Sequence, residues 1–155
     1  MPYLLKLKVL NLIGKKHMPD RVFLDTNILI YSYSEDEIKK QTIANNILEE
    51  YSENMVISKQ VINELINVLF KKFKLSSNDI ENVVLELDTF IPIVDFDITT
   101  QIKALRLKEK YKFQFYDALI VATALENGCT ILLSEDMQHH QLIDNVLTIV
   151  NPFIM

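Results

Sequence analysis

Three apolar residues in a row, Val22-Phe23-Leu24, stop at Asp25. Such a run, with no polar residue alternating, is the pattern of a strand buried on both faces. A helical segment, Ile28 to Tyr33, follows at once, so the chain makes a strand-to-helix turn with a carboxylate at the strand's C-terminal end. The pattern returns late in the chain, where Thr130-Ile131-Leu132-Leu133 runs into Ser134-Glu135-Asp136. In open α/β sheets, ligands sit in the crevice outside those strand ends. A carboxylate is also costly to bury unless something pairs with it. The competing reading of Asp25 is a helix-capping Asp at an ordinary turn.

Between these two runs, strand and helix patterns alternate. Ser34, with Glu37 three residues on, reads as a capping box opening a helix to about Tyr51. Met55-Val56-Ile57 reads as a strand, with Ser58 capping a helix over 59–73. There Val61, Ile62, Leu65, Ile66, Val68, Leu69, Phe70 and Phe73 share one broad arc and Glu64 borders it. Ser76-Ser77 starts a further helix, which Pro92 ends. Ile93 to Phe96 reads as a strand and Asp97 as the cap of a helix over 98–110. The segment from Tyr116 to Glu126 is apolar nearly all round, which predicts a central helix. Asp117 sits in its first turn, where the helix dipole favours a carboxylate, and Gly128 is a natural stop. Residues 147–150 give a last strand, closed by Pro152. The class is α/β, with a mostly parallel sheet of about five strands flanked by helices. Right-handed crossovers then bring the strand ends that carry acids to one edge.

The length of 155 residues suits one domain. We read residues 18–155 as that domain and residues 1–17, which precede every motif, as an N-terminal extension. A chain starting at Met18 is expected to fold. Only two glycines occur, Gly14 and Gly128, which excludes a dinucleotide fingerprint or a P-loop. The single cysteine, Cys129, lies in an apolar run and reads as a buried packing residue. No disulfide framework or zinc spacing exists, which fits a reducing cytoplasm. No apolar run is long enough for a membrane span.

The net charge is −5, but unevenly spread. Residues 103–112 carry Lys103, Arg106, Lys108, Lys110 and Lys112 against Glu109, enough for a basic rim on an acidic whole. An ordinary solvated helix face explains the same pattern.

Four acids stand out: Asp25, Glu64, Asp117 and Asp136. Two follow strands, one opens a buried helix and one borders a buried face. Each alone has a structural explanation; together they suggest one carboxylate cluster. Hard, oxygen-rich sites suit Mg²⁺ or Mn²⁺ rather than zinc, and carboxylates holding such ions can promote attack on phosphorus. His139 and His140 read as exposed turn residues, outside the site. Asp97 reads as a cap, with a fifth acid in the cleft as the alternative.

Val-Phe-Leu-Asp-Thr-Asn at 22–27, Asn63-Glu64-Leu65, Tyr116-Asp117-Ala118-Leu119-Ile120 and Leu132 to Met137 resemble, in order, the motifs of PIN-domain nucleases. The tail from Leu133 to Phe153 resembles the VapC-type toxins of bacterial toxin–antitoxin pairs. The resemblance covers about residues 20–153. It implies a metal-dependent endoribonuclease that hydrolyses RNA phosphodiester bonds by metal-activated water. Asp25, Glu64, Asp117 and Asp136 would be the catalytic, metal-binding acids, and Asn27 and Ser134 would support them or touch substrate. It further implies Mg²⁺ or Mn²⁺ as cofactor, a cognate antitoxin and a homodimer. Two features depart from the family pattern: His140 stands where a glycine is expected, and residues 1–17 have no counterpart. The alternatives are a catalytically inactive PIN-like binding module and another phosphate-cleaving α/β enzyme. An aspartate-nucleophile phosphatase would want an acid two residues after its nucleophile, where this chain has Asn27.

Overall fold

The computed structural model describes residues 20–154. The boundary read between residues 17 and 18 lies outside them. The described chain runs β1 (Val22–Leu24), α1 (Thr26–Tyr33), α2 (Ile38–Glu50), β2 (Met55–Ser58), α3 (Lys59–Lys71), α4 (Ser77–Phe90), β3 (Ile93–Val94), α5 (Ile98–Tyr111), α6 (Phe115–Glu126), β4 (Ile131–Leu133), β5 (Leu142–Ile143) and β6 (Leu147–Val150). Among the described residues the sheet has six strands in the order β3-β2-β1-β4-β6-β5. Every pairing is parallel except β5 with β6. None of these helices is long and apolar enough to cross a membrane.

The central strands are what their composition dictates. Val22, Phe23 and Leu24 are fully buried, as are Val56, Ile57 and Leu132. Their register fixes the site. Leu24 lies opposite Leu133 and Leu133 opposite Val150, so the chain leaves β1 and β4 side by side. There the Asp25 N–H donates to the Leu133 carbonyl at 3.0 Å, and the Ser134 N–H to the Val150 carbonyl at 3.0 Å.

Packing outweighs capping in α6. Its N-cap, Gln114, makes no side-chain cap bond. Yet every residue from Ala118 to Ala124 is buried. A cap contributes about 1 kcal/mol, whereas burying one large aliphatic side chain contributes roughly 1.5–3 kcal/mol. Leu119, Ile120 and Val121 therefore set the position of this helix, and with it the position of Asp117.

Three sequence expectations need correction. The capping box at Ser34 does not form. Ser34 is buried, in an extended conformation, and ends α1 with its N–H on the Tyr31 carbonyl at 3.1 Å. α2 begins only at Ile38, from an N-cap, Glu37, with no side-chain cap bond. Phe70 is 44% exposed. Its place on the wheel is roughly 125° from the centre of the arc formed by Val61, Ile62, Leu65 and Leu69. The third concerns β5, a strand the sequence did not announce. It joins β6 through Asp144 and Asn145, both at positive φ (48° and 57°), with the Val146 N–H on the Ile143 carbonyl at 2.9 Å. That is the backbone of a type I′ hairpin turn, built here without the usual glycine.

Other expectations hold. The Ser58 hydroxyl accepts from the Val61 N–H at 3.3 Å, capping α3. Asp97 caps α5 in a reciprocal pair with Thr100. Gly128 takes φ +71° after α6, and Cys129 is fully buried.

Candidate functional site

Asp25 comes off the end of β1 directly into α1. It is both the N-cap and a buried carboxylate, 6% exposed. Oδ1 accepts from the Thr26 N–H at 2.7 Å, and Oδ2 from the Ser134 hydroxyl at 2.7 Å. Asn27 Nδ2 approaches the same Oδ2 at 3.5 Å. Thus the capping reading of Asp25 holds, and the same carboxylate is also tied to Ser134 and Asn27.

Ser134 is fully buried behind Asp25, and its hydroxyl also accepts the Asp136 N–H at 3.2 Å. Asn27 ties the two strand ends together. Its Oδ1 accepts the Glu135 N–H at 3.2 Å and its Nδ2 donates to Asp136 Oδ2 at 3.2 Å. Across the cleft, α3 presents Glu64. One of its oxygens accepts from the Thr26 hydroxyl at 2.5 Å, the other from Gln60 Nε2 at 3.0 Å. Gln60, itself buried, also donates to the Tyr116 carbonyl at 3.2 Å. It therefore braces α3 against the first turn of α6, next to Asp117.

These elements enclose a cleft of about 300 Å³. All four acids, Asp25, Glu64, Asp117 and Asp136, line it together with Thr26 and Asn27. Among the described residues none of the four forms an ion pair with Lys, Arg or His. The electrostatic consequence is visible in two of them. Burial pushes the Asp25 carboxyl up from 3.8 to about 6, helped by the negative charge of Glu64 and Asp117 and resisted by its hydrogen bonds. Burial also raises Asp117, with Asp136 and Glu64 adding to it.

The donor set is all oxygen and anionic, the chemistry of a hard divalent cation. Among the described residues, no three His, Cys, Asp or Glu side chains close around one point that could seat an ion. Glu64 has both oxygens engaged, and Asp136 is exposed at the mouth. The residues fit such an ion by charge and donor type, and a rotation of the outer acids would be needed to complete its shell.

Sequence reasoning missed three contributors. Thr26 lies inside the first motif, and its hydroxyl holds Glu64. Gln60 precedes Glu64 by one helical turn, a spacing that faces it. Lys40 reaches Glu135 from α2 at 2.5 Å, across 95 positions of sequence, and no local pattern announces it. The remaining candidates lie elsewhere. Asp95 pairs with Lys59 at 2.9 Å and Asp97 is a cap; neither lines the cleft. His140 is exposed, with φ +64°, the conformation a glycine would supply there. His139 departs from expectation: it is half-buried, and its Nδ1 accepts the Asn151 N–H at 3.0 Å.

The PIN domain family model matches residues 22–144. No curated protein matches the chain. Several solved structures share the fold. A toxin–antitoxin complex from Klebsiella pneumoniae is 24% identical, with a TM-score of 0.65, over 86% of this chain and 99% of that one. VapBC2 from Rickettsia felis, bound to a DNA fragment from its promoter, is 21% identical, with a TM-score of 0.61, over 83% and 96%. VapC20 of Mycobacterium tuberculosis, described as a sarcin–ricin loop cleaving toxin, is 13% identical, with a TM-score of 0.60, over 72% and 86%.

Proposed function

The chain belongs to the PIN-domain family, and from that premise we propose that it is a divalent-metal-dependent endoribonuclease, the toxin of a toxin–antitoxin pair. The observation that carries this reading is the convergence of Asp25, Glu64, Asp117 and Asp136 on one cleft with no cationic partner among the described residues. Ion pairs that serve only the fold neutralise such acids; a cluster left repelling itself marks a site that a cation completes. The four carboxylates are the groups that would hold Mg²⁺ or Mn²⁺. Such an ion, when bound, supplies Lewis-acid stabilisation of charge at phosphorus and acidifies water.

The chain's own residues do the rest. Ser134 and the Thr26 N–H fix Asp25 at the floor. Thr26 and Gln60 fix Glu64 on the opposite wall. Asp117, in the first turn of α6, brings its carboxylate to the cleft beside them. Asp136, at the mouth, is oriented by Asn27. The α3 face that carries Glu64 also brings Asn67 and Val68 to the cleft, and Lys71, exposed one turn further on, is the cation this reading assigns to an RNA phosphate.

Two similar structures are toxin–antitoxin complexes and a third is a cleaving toxin, which supports a cognate antitoxin as partner. α5 exposes Ile98, Ile102 and Leu105 at helical spacing, which supports self-association into a homodimer. A free, buried cysteine suits the cytoplasm as the place of action. The phosphatase alternative is disfavoured by Asn27, whose amide is committed to Asp136 and the Glu135 N–H.

The test is cleavage of bulk RNA by the full chain, with Mg²⁺ or Mn²⁺ and with EDTA. The expected result is cleavage that EDTA stops and that Asp117→Asn lacks while still folded. A folded parent that leaves RNA intact with either metal would contradict the reading.

A further inference from the structure

Glu135 stands between two residues of the cleft without lining it. Ser134 points inward to Asp25 and Asp136 points inward to Asn27. Glu135 points the other way, out of the bend that residues 135–137 make after β4. There Tyr31 Oη donates to one of its oxygens at 2.6 Å, and Lys40 Nζ to the other at 2.5 Å. Lys40 also donates to Tyr31 Oη at 2.8 Å, closing the triangle. Glu37 lies 3.4 Å from the same ammonium. Phe153 packs edge-on against Tyr31, with ring centroids 4.9 Å apart.

This assembly is more than a surface ion pair. The Lys40 and Glu135 side chains are 28% and 25% exposed, and every oxygen of the carboxylate has a charged or hydroxyl donor. Burial pushes Glu135 up, but the hydrogen bonds from Lys40 and Tyr31 outweigh it and hold the carboxyl below its usual range. By contrast the Asp136 side chain is exposed, with one side-chain bond, to Asn27; the backbone beside it is also held, by Ser134 on the Asp136 N–H at 3.2 Å and by Asn27 and Asn151 on the Glu135 N–H and carbonyl at 3.2 and 3.3 Å.

We propose that Lys40 and Tyr31, through Glu135, are positioning residues that hold the segment after β4 so that Asp136 faces the cleft. Turning the backbone of this bend so that Asp136 leaves the cleft would pull Glu135 out of the Lys40–Tyr31 socket, so the neighbour held there restrains the direction Asp136 takes. The kinetic part rests on the nuclease reading above; the structural part does not.

The experiment uses the full chain and four variants: Lys40→Met, Lys40→Arg, Glu135→Gln and, as a remote comparator, Lys110→Met. The first readout is the ¹⁵N order parameter of the Asp136 amide without metal. It should fall from the rigid range, about 0.85, to below about 0.6 in Lys40→Met and Glu135→Gln, while Ile131 to Leu133 stay rigid. The second is RNA cleavage: kcat should drop about 10-fold, as for lost support of a metal ligand, with KM changed less than about twofold. Lys40→Arg should restore both readouts, and Lys110→Met should move neither. An Asp136 amide as ordered in Lys40→Met and Glu135→Gln as in the parent would overturn the proposal. So would a kcat loss matched by Lys110→Met. If the parent itself leaves RNA intact, the nuclease reading fails and the order parameter still decides the positioning claim.

Discussion

Two kinds of carboxylate occupy this molecule. Glu135 and Asp144 each sit in a triad with one Lys and one Tyr. Asp144 Oδ1 accepts from Lys110 at 2.7 Å and from Tyr111 at 2.8 Å, repeating the Lys40–Tyr31–Glu135 arrangement at the far turn between β5 and β6. Hydrogen bonds from Lys110 and Tyr111 hold Asp144 below the usual carboxylate range. The cleft acids Asp25 and Asp117 are pushed the opposite way, by burial and by the negative charge of neighbouring cleft acids. The fold evidently can place a lysine beside an acid, and does so twice in one pattern. That the described residues supply none to the cleft is the physical signature separating the site from its supports.

The comparison can be broken most forcefully in the core. Leu119 is 2% exposed on α6, two residues beyond Asp117. Leu119→Ala should cost about 2–5 kcal/mol. It should lower the melting temperature while leaving the metal-induced rise in place, because it changes packing and not charge. A lost metal response in a folded Leu119→Ala protein would show that the cleft has no electrostatic identity of its own.

Asp25 gives the next largest effect, and its sign is opposite to that of the triads. A carboxyl raised on folding contributes stability at low pH, which is lost as pH rises through the folded value. From 3.8 to about 6, ionising Asp25 should cost the metal-free fold about 3 kcal/mol, spread over roughly pH 4 to 6. Glu135 and Asp144, lowered on folding, contribute stability above their ordinary values that is lost as pH falls. Denaturant melts of the parent and Asp25→Asn across pH 4.5 to 7.5 should diverge, with the variant gaining on the parent as pH rises. Parallel curves would mean that Asp25 ionises freely in the fold.

The smallest effect distinguishes the triads from each other. The Lys110 and Asp144 side chains are 62% and 38% exposed, so solvent screens the pair and Lys110→Met should cost little. Lys40→Met removes a less exposed pair that holds a segment of the cleft wall. It should cost more than Lys110→Met in the same denaturant series; equal costs would make the two triads equivalent.

Much of this was legible in the sequence where the chemistry is local. Val22-Phe23-Leu24 can hardly be other than a buried strand, and its stop at Asp25 places that acid at a strand end. Asp117 and Glu64 were legible because each departs from an apolar helical face. What the sequence hid is either short or distant. β5 is two residues long and turns on Asp144-Asn145, a pair with no glycine to announce positive φ. Ser34-Glu35-Asp36-Glu37 has the letters of a capping box, but α1 must end there and Ser34 is spent on that. Lys40 lies in the helix read from Ser34 to about Tyr51, with nothing local to mark it, and its tie to Glu135 exists only after β1 and β4 have paired. Asp136 was legible as an acid following an apolar strand; the contacts that hold its segment were not.

On the proposed reading the four cleft acids hold a divalent cation. A thermal melt of the parent and Asp117→Asn, each in EDTA and in excess Mn²⁺, tests it most directly. Ion at about 100 times its dissociation constant stabilises by ~2.7 kcal/mol, a rise of roughly 5–10 °C for a domain of this size. The parent should show that rise. Asp117→Asn, with one repelling charge removed at nearly constant volume, should melt higher than the parent in EDTA and show less than half the rise in Mn²⁺. Equal melting temperatures in EDTA and equal rises in Mn²⁺ would contradict the account.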